Sequence, residues 1–390
     1  MSTGPLSGVR VVELGSIGPG PFCGMLLSDL GAEVLRVDRA SGAELVGPSA
    51  DFRDELMQRG RRSVAVDLKH PDGAGIVLDL VEQADVFFEG FRPGVCERLG
   101  IGPDECMARN PRLIYGRMTG YGQTGPMAQA VGHDLNYIAQ SGVLGLIGRA
   151  DQPPTPPLAF TGDFGGGGMT LALGILAALI ERATSGRGQV IDAAMIEGSA
   201  VLATCFFGFL QNGTWTKVRG TNIVDSGAPF YDAYETADGR YLSVAAMEPR
   251  FYANLLTLLE LDPATLSDQN DRARWPEMKP VFAAAVRRRT LADWLERAEG
   301  VEACVAGVMT LDEIPDDPHL TARGSFVHHE GRLQPAPAPR FSRTPTALSY
   351  PPPLPGEHTR EALADWGFDA ERIDALLAAG VAGTPTPDTV

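Results

Sequence analysis

The chain has 390 residues, 44% hydrophobic and 21% charged, with a formal net charge of −16. That length exceeds one ordinary hydrophobic core and predicts two domains in a globular protein. The acidic balance argues against non-specific nucleic-acid binding and against anionic membrane surfaces, while leaving room for a local basic pocket.

The elements read as follows in chain order. Residues 9–14 are a short β-rich run, followed by a Gly/Pro loop over 15–21, a helix over 22–30 that stops at Gly31, and a second strand over 33–37. This β-loop-α-β unit opens a parallel α/β sheet. Further strands are predicted at 63–68, 85–88 and 113–118, with a helix over 73–84. The apolar stretch 169–180 is too short to span a bilayer and reads as a buried helix. A second long helix is predicted over 193–210. From about Tyr231 the texture changes to hairpin strands at 230–234 and 240–245 around Asp238-Gly239, then helices at 250–261 and 291–299. A proline-rich extended segment covers 335–355, two short helices broken at Gly367 cover 358–379, and 383–390 read as disordered. The fold class is thus α/β. A large, open, Rossmann-like parallel-sheet domain spans 1–190, linker helices 191–224, a smaller α+β domain 225–323, and a return segment to the large domain 324–390.

Five scattered cysteines, Cys23, Cys96, Cys106, Cys205 and Cys304, form no Cys-x-x-Cys pair, and the six histidines show no metal-ligand helical spacing. The expectation is no disulfide framework, no metal and a reducing cytoplasm. No basic segment followed by an apolar run opens the chain, so no signal peptide is expected.

Two motifs about thirty residues apart carry the chemistry. Gly132-His133-Asp134-Leu135-Asn136-Tyr137 sets a histidine at a helix start, beside free amides able to bind an oxyanion. Gly162-Asp163-Phe164 precedes four glycines, more than a helix cap needs, which would let a substrate lie against the backbone. Together they offer a histidine and a carboxylate, the two groups that remove a proton from one face of a carbon and return it to the other. Basic residues concentrate early, at Arg36, Arg39, Arg53, Arg59, Arg61, Arg62, Lys69, Arg92 and Arg98. Several follow strand ends, where open α/β sheets bind ligands, and they suit a ligand with several phosphates. Solvated surface charge explains any one of them equally well. Gly18-Pro19-Gly20-Pro21-Phe22-Cys23-Gly24, with Asp38 about twenty residues on, invites a nicotinamide-enzyme reading. The glycine spacing is wrong for it, however, and two prolines remove amide donors. Glu248, before Pro249, could simply place a charge near a helix dipole.

Longer runs make the sequence recognisable. They are Pro5-Leu6-Ser7-Gly8-Val9-Arg10-Val11-Val12-Glu13-Leu14, Gly18-Pro19-Gly20-Pro21, Asp29-Leu30-Gly31-Ala32-Glu33-Val34, Glu97-Arg98-Leu99-Gly100, Arg117-Met118-Thr119-Gly120-Tyr121-Gly122-Gln123-Thr124-Gly125-Pro126, Gly132-His133-Asp134, Gly162-Asp163-Phe164 and Pro337-Ala338-Pro339-Arg340-Phe341-Ser342-Arg343. With these the chain resembles the α-methylacyl-CoA racemase branch of the family III CoA-transferase superfamily, over most of its length. After Pro351 its ending is more like the transferase branch.

The resemblance implies a racemase that interconverts 2-methylacyl-CoA epimers through an enolate. His133 and Asp163 would be the acid/base pair and Glu248 the carboxylate partner of His133. The backbone amide of Asp134 would donate to the enolate oxygen. Coenzyme A would enter as part of the substrate, with no separate cofactor. Arg39, Lys69, Arg92 and Arg98 would meet its phosphates, and Val66, Asp67, Leu68, Gly90, Phe91, Gly132 and Tyr137 would complete the binding surface. It also implies an interlocked homodimer. The alternative is CoA transfer between carboxylic acids, with Asp163 as nucleophile.

Overall fold

The computed structural model describes residues 3–40 and 51–385. The strands are β1 (Arg10–Leu14), β2 (Glu33–Arg39), β3 (Arg61–Val66), β4 (Val86–Glu89), β5 (Ile114–Thr119), β6 (Gln189–Ala194), β7 (Tyr231–Glu235), β8 (Tyr241–Ala245), β9 (Val305–Gly307), β10 (Phe326–His329), β11 (Arg332–Pro335) and β12 (Ala382–Gly383). The chain divides into two compact units. One comprises Met1–Ser141, Leu158–Leu202 and Ala322–Val390; the other comprises Gly142–Pro157 and Ala203–Thr321.

The first unit is built on a seven-stranded sheet in the order β12-β3-β2-β1-β4-β5-β6. All its pairings are parallel except that of β12 with β3. Both faces are covered, which is why the strands read as nearly continuous apolar runs. On one face Val11, Val34, Phe88, Ile114 and Met118 pack with Leu27 of helix Pro19–Asp29 and with Leu171 and Ile175 of helix Thr170–Ser185. On the other, Val12, Leu14, Val37, Val64 and Phe87 pack with Ile76 and Leu80 of helix Gly73–Glu82. Leu363 and Trp366, in and just after helix Thr359–Asp365, join them. Each such buried aliphatic or aromatic side chain contributes about 1.5–3 kcal/mol.

Four local readings are corrected. The first helix begins at Pro19, not at residue 22, because prolines are tolerated in a first turn whose amides have no intrahelical partner. Residues 189–194 form a strand whose last two residues overlap the helix expected over 193–210. The helical region that follows is split into Met195–Leu202 and Thr204–Gln211. The apolar helix is half-buried: Leu171, Ala172, Ile175 and Ala178 are covered, whereas Leu173 and Ile180 are exposed. Gly383 belongs to β12, paired with Ala65, while 386–390 of the tail read as disordered lie outside the described residues.

The second unit carries the antiparallel sheet β7-β8-β9. Helices Pro249–Leu258, Trp275–Val286 and Leu291–Ala298 surround a core of Phe230, Leu255, Trp275, Phe282 and Trp294. Two indoles of this core are satisfied: Trp275 Nε1 donates to Gln269 O at 2.8 Å and Trp294 Nε1 to Val286 O at 2.7 Å. Helix Trp275–Val286 was not legible beforehand because Pro276 and Pro280 lie within it.

Candidate active site

Strand order in the large sheet runs one way from β1 through β2 and β3, and the other way from β1 through β4 and β5. The loops leaving β1 and β4 therefore diverge, and the crevice between them is the ligand site of an open α/β sheet. Asp163 stands at this crevice. A Cβ added to Gly18, in the loop after β1, would lie 2.7 Å from Asp163 Oδ2. Gly18 also has φ 67°, which favours glycine.

The two sequence motifs meet here. Asp134 opens helix Asp134–Gln140, and its Oδ1 accepts the Asp163 amide at 2.8 Å. A Cβ on Gly162 would lie 2.2 Å from that same oxygen, so glycine at 162 is what lets the motifs touch. His133 is the cap residue of the helix, and its amide donates to Asn136 Oδ1 at 3.1 Å, one half of a capping box. His133 is exposed. Tyr137 is buried and its hydroxyl donates to Gly132 O, so it braces the turn that presents the histidine. Burial pushes the Asp163 carboxyl up to about 6, the nearby Asp134 adds to this, and His133 opposes it.

The glycine run has another role than the one expected. Residues Phe160–Met169 form a wide, π-type helical stretch leading into helix Thr170–Ser185. Added Cβ atoms would lie 2.6 Å from Ser199 N at Gly166, 2.8 Å from Pro19 Cβ at Gly167 and 2.5 Å from Pro19 O at Gly168. The protein's own backbone thus occupies the space. The glycines let two helices close on the Asp163 segment, and the π-type winding fits the association of such bulges with functional positions.

The early basic cluster separates into two groups. Arg36, Arg53, Arg59, Arg61 and Arg62 pair internally with Asp38, Glu357, Asp29, Glu13 and Glu33. Arg39, Lys69, Arg92 and Arg98 are exposed, with no ion pair among the described residues. They follow or end β2, β3 and β4, except Arg98, which ends the short helix Val95–Arg98. Asp38, the acid a dinucleotide enzyme would turn toward ribose, is buried. It accepts from Ser63 Oγ at 2.6 Å and pairs with Arg36 at 2.8 Å.

Of the remaining predicted residues, Val66 is buried at the end of β3, and the Asp67 amide donates to Val381 O. Leu68 packs at the edge of a core cluster, Gly90 is exposed and Phe91 half-buried. Glu248 lies in the second unit, exposed, as the cap residue of helix Pro249–Leu258. One group that sequence reasoning passed over is Glu89, which is 1% exposed at the end of β4. A lone glutamate at a strand end carries no sequence signal; only the register that sets it beside Arg117 of β5 reveals it.

Comparisons with known proteins follow the same line. Residues 6–359 match the model of CoA-transferase family III. Alpha-methylacyl-CoA racemase of Mus musculus is 46% identical over 370 residues, 94% of this chain and 95% of its own. The enzyme of that name from Homo sapiens is 44% identical over 373 residues, 95% of this chain and 96% of its own. A crystal structure of a CAIB/BAIF family protein from Brucella suis superposes with a TM-score of 0.79 at 29% identity, covering 93% of this chain and all of that one. With a doubly wound sheet, a carboxylate at its switch point and a family match over nearly its whole length, the chain belongs to CoA-transferase family III.

Proposed function

We propose that this protein is a racemase that interconverts (R)- and (S)-2-methylacyl-CoA thioesters by removing and returning the α-proton. The observation that carries the reading is the Asp163 carboxyl, held near pH 6 at the crevice mouth, on a segment hydrogen-bonded to the helix that His133 caps. The racemases among the relatives support the choice of substrate. A thioester acidifies its α-hydrogen because the enolate spreads charge onto the carbonyl oxygen. Racemisation then needs one deprotonated base and one protonated acid on opposite faces of the carbon. A carboxyl titrating near 6 is present in both forms at neutral pH, so Asp163 can serve in either direction. His133 is its counterpart. The Asp134 amide, in the first helical turn, is the donor for the enolate oxygen. Protons alone move, so the chemistry calls for no redox cofactor.

Arg39, Lys69, Arg92 and Arg98 are proposed to hold the CoA phosphates, since they are the members of the basic cluster with no carboxylate partner among the described residues. The exposed apolar side chains Phe160, Met169, Leu173, Ile180 and Val201 of the large unit support a homodimer. Glu248 of a second copy would then supply the carboxylate that steadies protonated His133.

The test is to incubate one epimer of a 2-methylacyl-CoA in deuterium oxide and follow the α-position by NMR and chiral analysis. The expected result is deuterium uptake together with loss of stereochemical purity. No exchange at high enzyme concentration with several acyl groups overturns the reading. CoA transfer through Asp163 as nucleophile is the competing reading, because the same carboxylate would face a thioester carbonyl. His133→Ala separates the two: it abolishes racemisation and leaves transfer intact.

A further inference from the structure

Glu89 is buried beside the switch point and makes two strong contacts. Its Oε2 accepts the Phe91 amide at 2.6 Å and its Oε1 accepts Arg117 Nε at 3.2 Å. Arg117 sits opposite Glu89 in the β4–β5 register, and its Nη2 forms an ion pair with Glu97 Oε1 at 2.9 Å, outside hydrogen-bond geometry. Glu97 belongs to helix Val95–Arg98, which directly follows the loop 90–94. One guanidinium thus fastens both ends of that loop to the sheet. On its open side the loop rests on the loop after β1: a Cβ at Gly90 would stand 3.0 Å from Ser16 Oγ, a buried hydroxyl with no partner among the described residues.

We infer that Glu89, acting through Arg117 and Glu97, is a positioning residue for the phosphate end of the ligand. It sets the loop that carries Arg92 and the helical turn that carries Arg98. The inference rests on the acyl-CoA reading of the crevice given above.

The chemistry of the network supports this role. Without the network, a loop containing Gly90, Pro93 and Gly94, the last at φ 83°, would lose conformational entropy each time it gripped a polyanion. A carboxylate that already holds the Phe91 amide, and an arginine that already spans two carboxylates, meet that cost during folding instead of during binding. A position concerned only with packing would be served better by an apolar side chain. Burial pushes the Glu89 carboxyl up to about 7, against the opposing Phe91 amide and Arg117, so retaining it there is unfavourable in itself. Arg92 and Arg98 remain exposed and carry no ion pair among the described residues, whereas Arg117 is consumed internally. The division of labour follows: Arg117 holds the loop, and the loop presents the two arginines.

The test compares the full-length protein with Glu89→Gln, using calorimetric titration of two probes: coenzyme A, and the S-acyl pantetheine thioester that lacks the nucleotide and every phosphate. Glu89→Gln is expected to weaken coenzyme A about tenfold, the size of one lost charge-assisted hydrogen bond, and to leave the pantetheine thioester within about twofold. In turnover, KM for the acyl-CoA rises by the same factor while kcat moves much less. In an Arg92→Ala/Arg98→Ala background the effect of Glu89→Gln disappears, because the residues through which it acts are gone. Arg117→Lys, which keeps the charge but not the two-sided reach, gives the same pattern and carries the test should Glu89→Gln fail to fold. Equal weakening of both probes, or undiminished coenzyme A binding, overturns the inference alone. Wild-type protein that binds no coenzyme A overturns it together with the reading on which it rests.

Discussion

Asp163 has the clearest energetic signature at the scale of single residues. Its carboxyl is raised from an ordinary value of 3.8 to about 6, so the folded protein holds this proton more tightly than the unfolded chain does. Ionised Asp163 therefore costs folding stability, a cost absent below about pH 4 and fully present above about pH 6. Asp163→Asn is expected to raise stability by about 1 kcal/mol at pH 7.5, discounted for partial exposure, and by about a third as much at pH 4.5, in paired denaturant titrations. Racemisation should be lost at both. The same titration shapes the rate. In either direction the His133–Asp163 pair must carry one proton, so for both epimers kcat/KM falls as pH drops below about 6, where Asp163 takes up a second proton onto the pair. Parallel acid limbs for the two epimers in initial-rate profiles are the expected outcome, because the equilibrium between epimers does not depend on pH, and profiles that stay flat well below pH 6 contradict the assignment. His133 and Asp163 were legible in the sequence because each stands in a short motif whose glycines constrain the backbone. Glu89 was not, since its meaning lies in a strand register that brings residues 89, 97 and 117 together.

Elements hold these residues in place through two kinds of contact that sequence patterns describe poorly. Close helix packing is one. Gly198 lies so near the π-type stretch that an added Cβ would stand 1.9 Å from Gly166 O. Gly198→Ala is expected to cost about 3 kcal/mol, read as a lower denaturation midpoint, and to depress kcat, because the backbone that must yield is the one that presents Asp163. The other is the buried pair beneath the first helix. Arg61 and Glu13 are fully buried, 2.8 Å apart, and Arg61 Nη2 also donates to Pro21 O at 2.8 Å. Burial pushes the Glu13 carboxyl up and the Arg61 guanidinium down, so each ion tolerates the site only because of the other. Glu13→Gln is expected to destabilise by about 3–5 kcal/mol, measured by chemical denaturation. The sequence showed Arg61 as one member of a basic cluster and pointed it toward phosphates. Partners 48 residues away reassign it to the core. Strand and helix positions were legible from apolar periodicity in the first 120 residues, and less so in the region 189–211, where a β-branched edge strand runs directly into a helix.

The whole molecule shows an inserted arrangement: the small unit, with its antiparallel sheet, is spliced into a chain whose large unit is made from both ends. The C-terminal segment is structural. Ala362, Leu363, Trp366 and Ile373 are buried in the sheet's core, Arg10 stacks 3.7 Å from the Trp366 ring, and β12 covers the edge of β3. Truncation after Leu354 removes all of these and bares a fully buried strand edge. The expected result is insoluble protein or high-mass aggregates on gel filtration, and a soluble, cooperatively unfolding fragment would contradict it. The α/β class was legible from the opening strand-helix-strand unit. The closure of the sheet by residues 382 and 383 was not, because two residues carry no periodicity.

That closure also matters during synthesis. The strand that seals β3 is made more than 300 residues after it. At roughly 5–20 residues per second, β3 waits on the order of tens of seconds on the ribosome with one edge unpaired. During that interval the nascent chain presents a row of open backbone groups that other extended chains can join. Production of this protein should accordingly depend on chaperone capacity and translation speed, even though the finished fold leaves that edge covered.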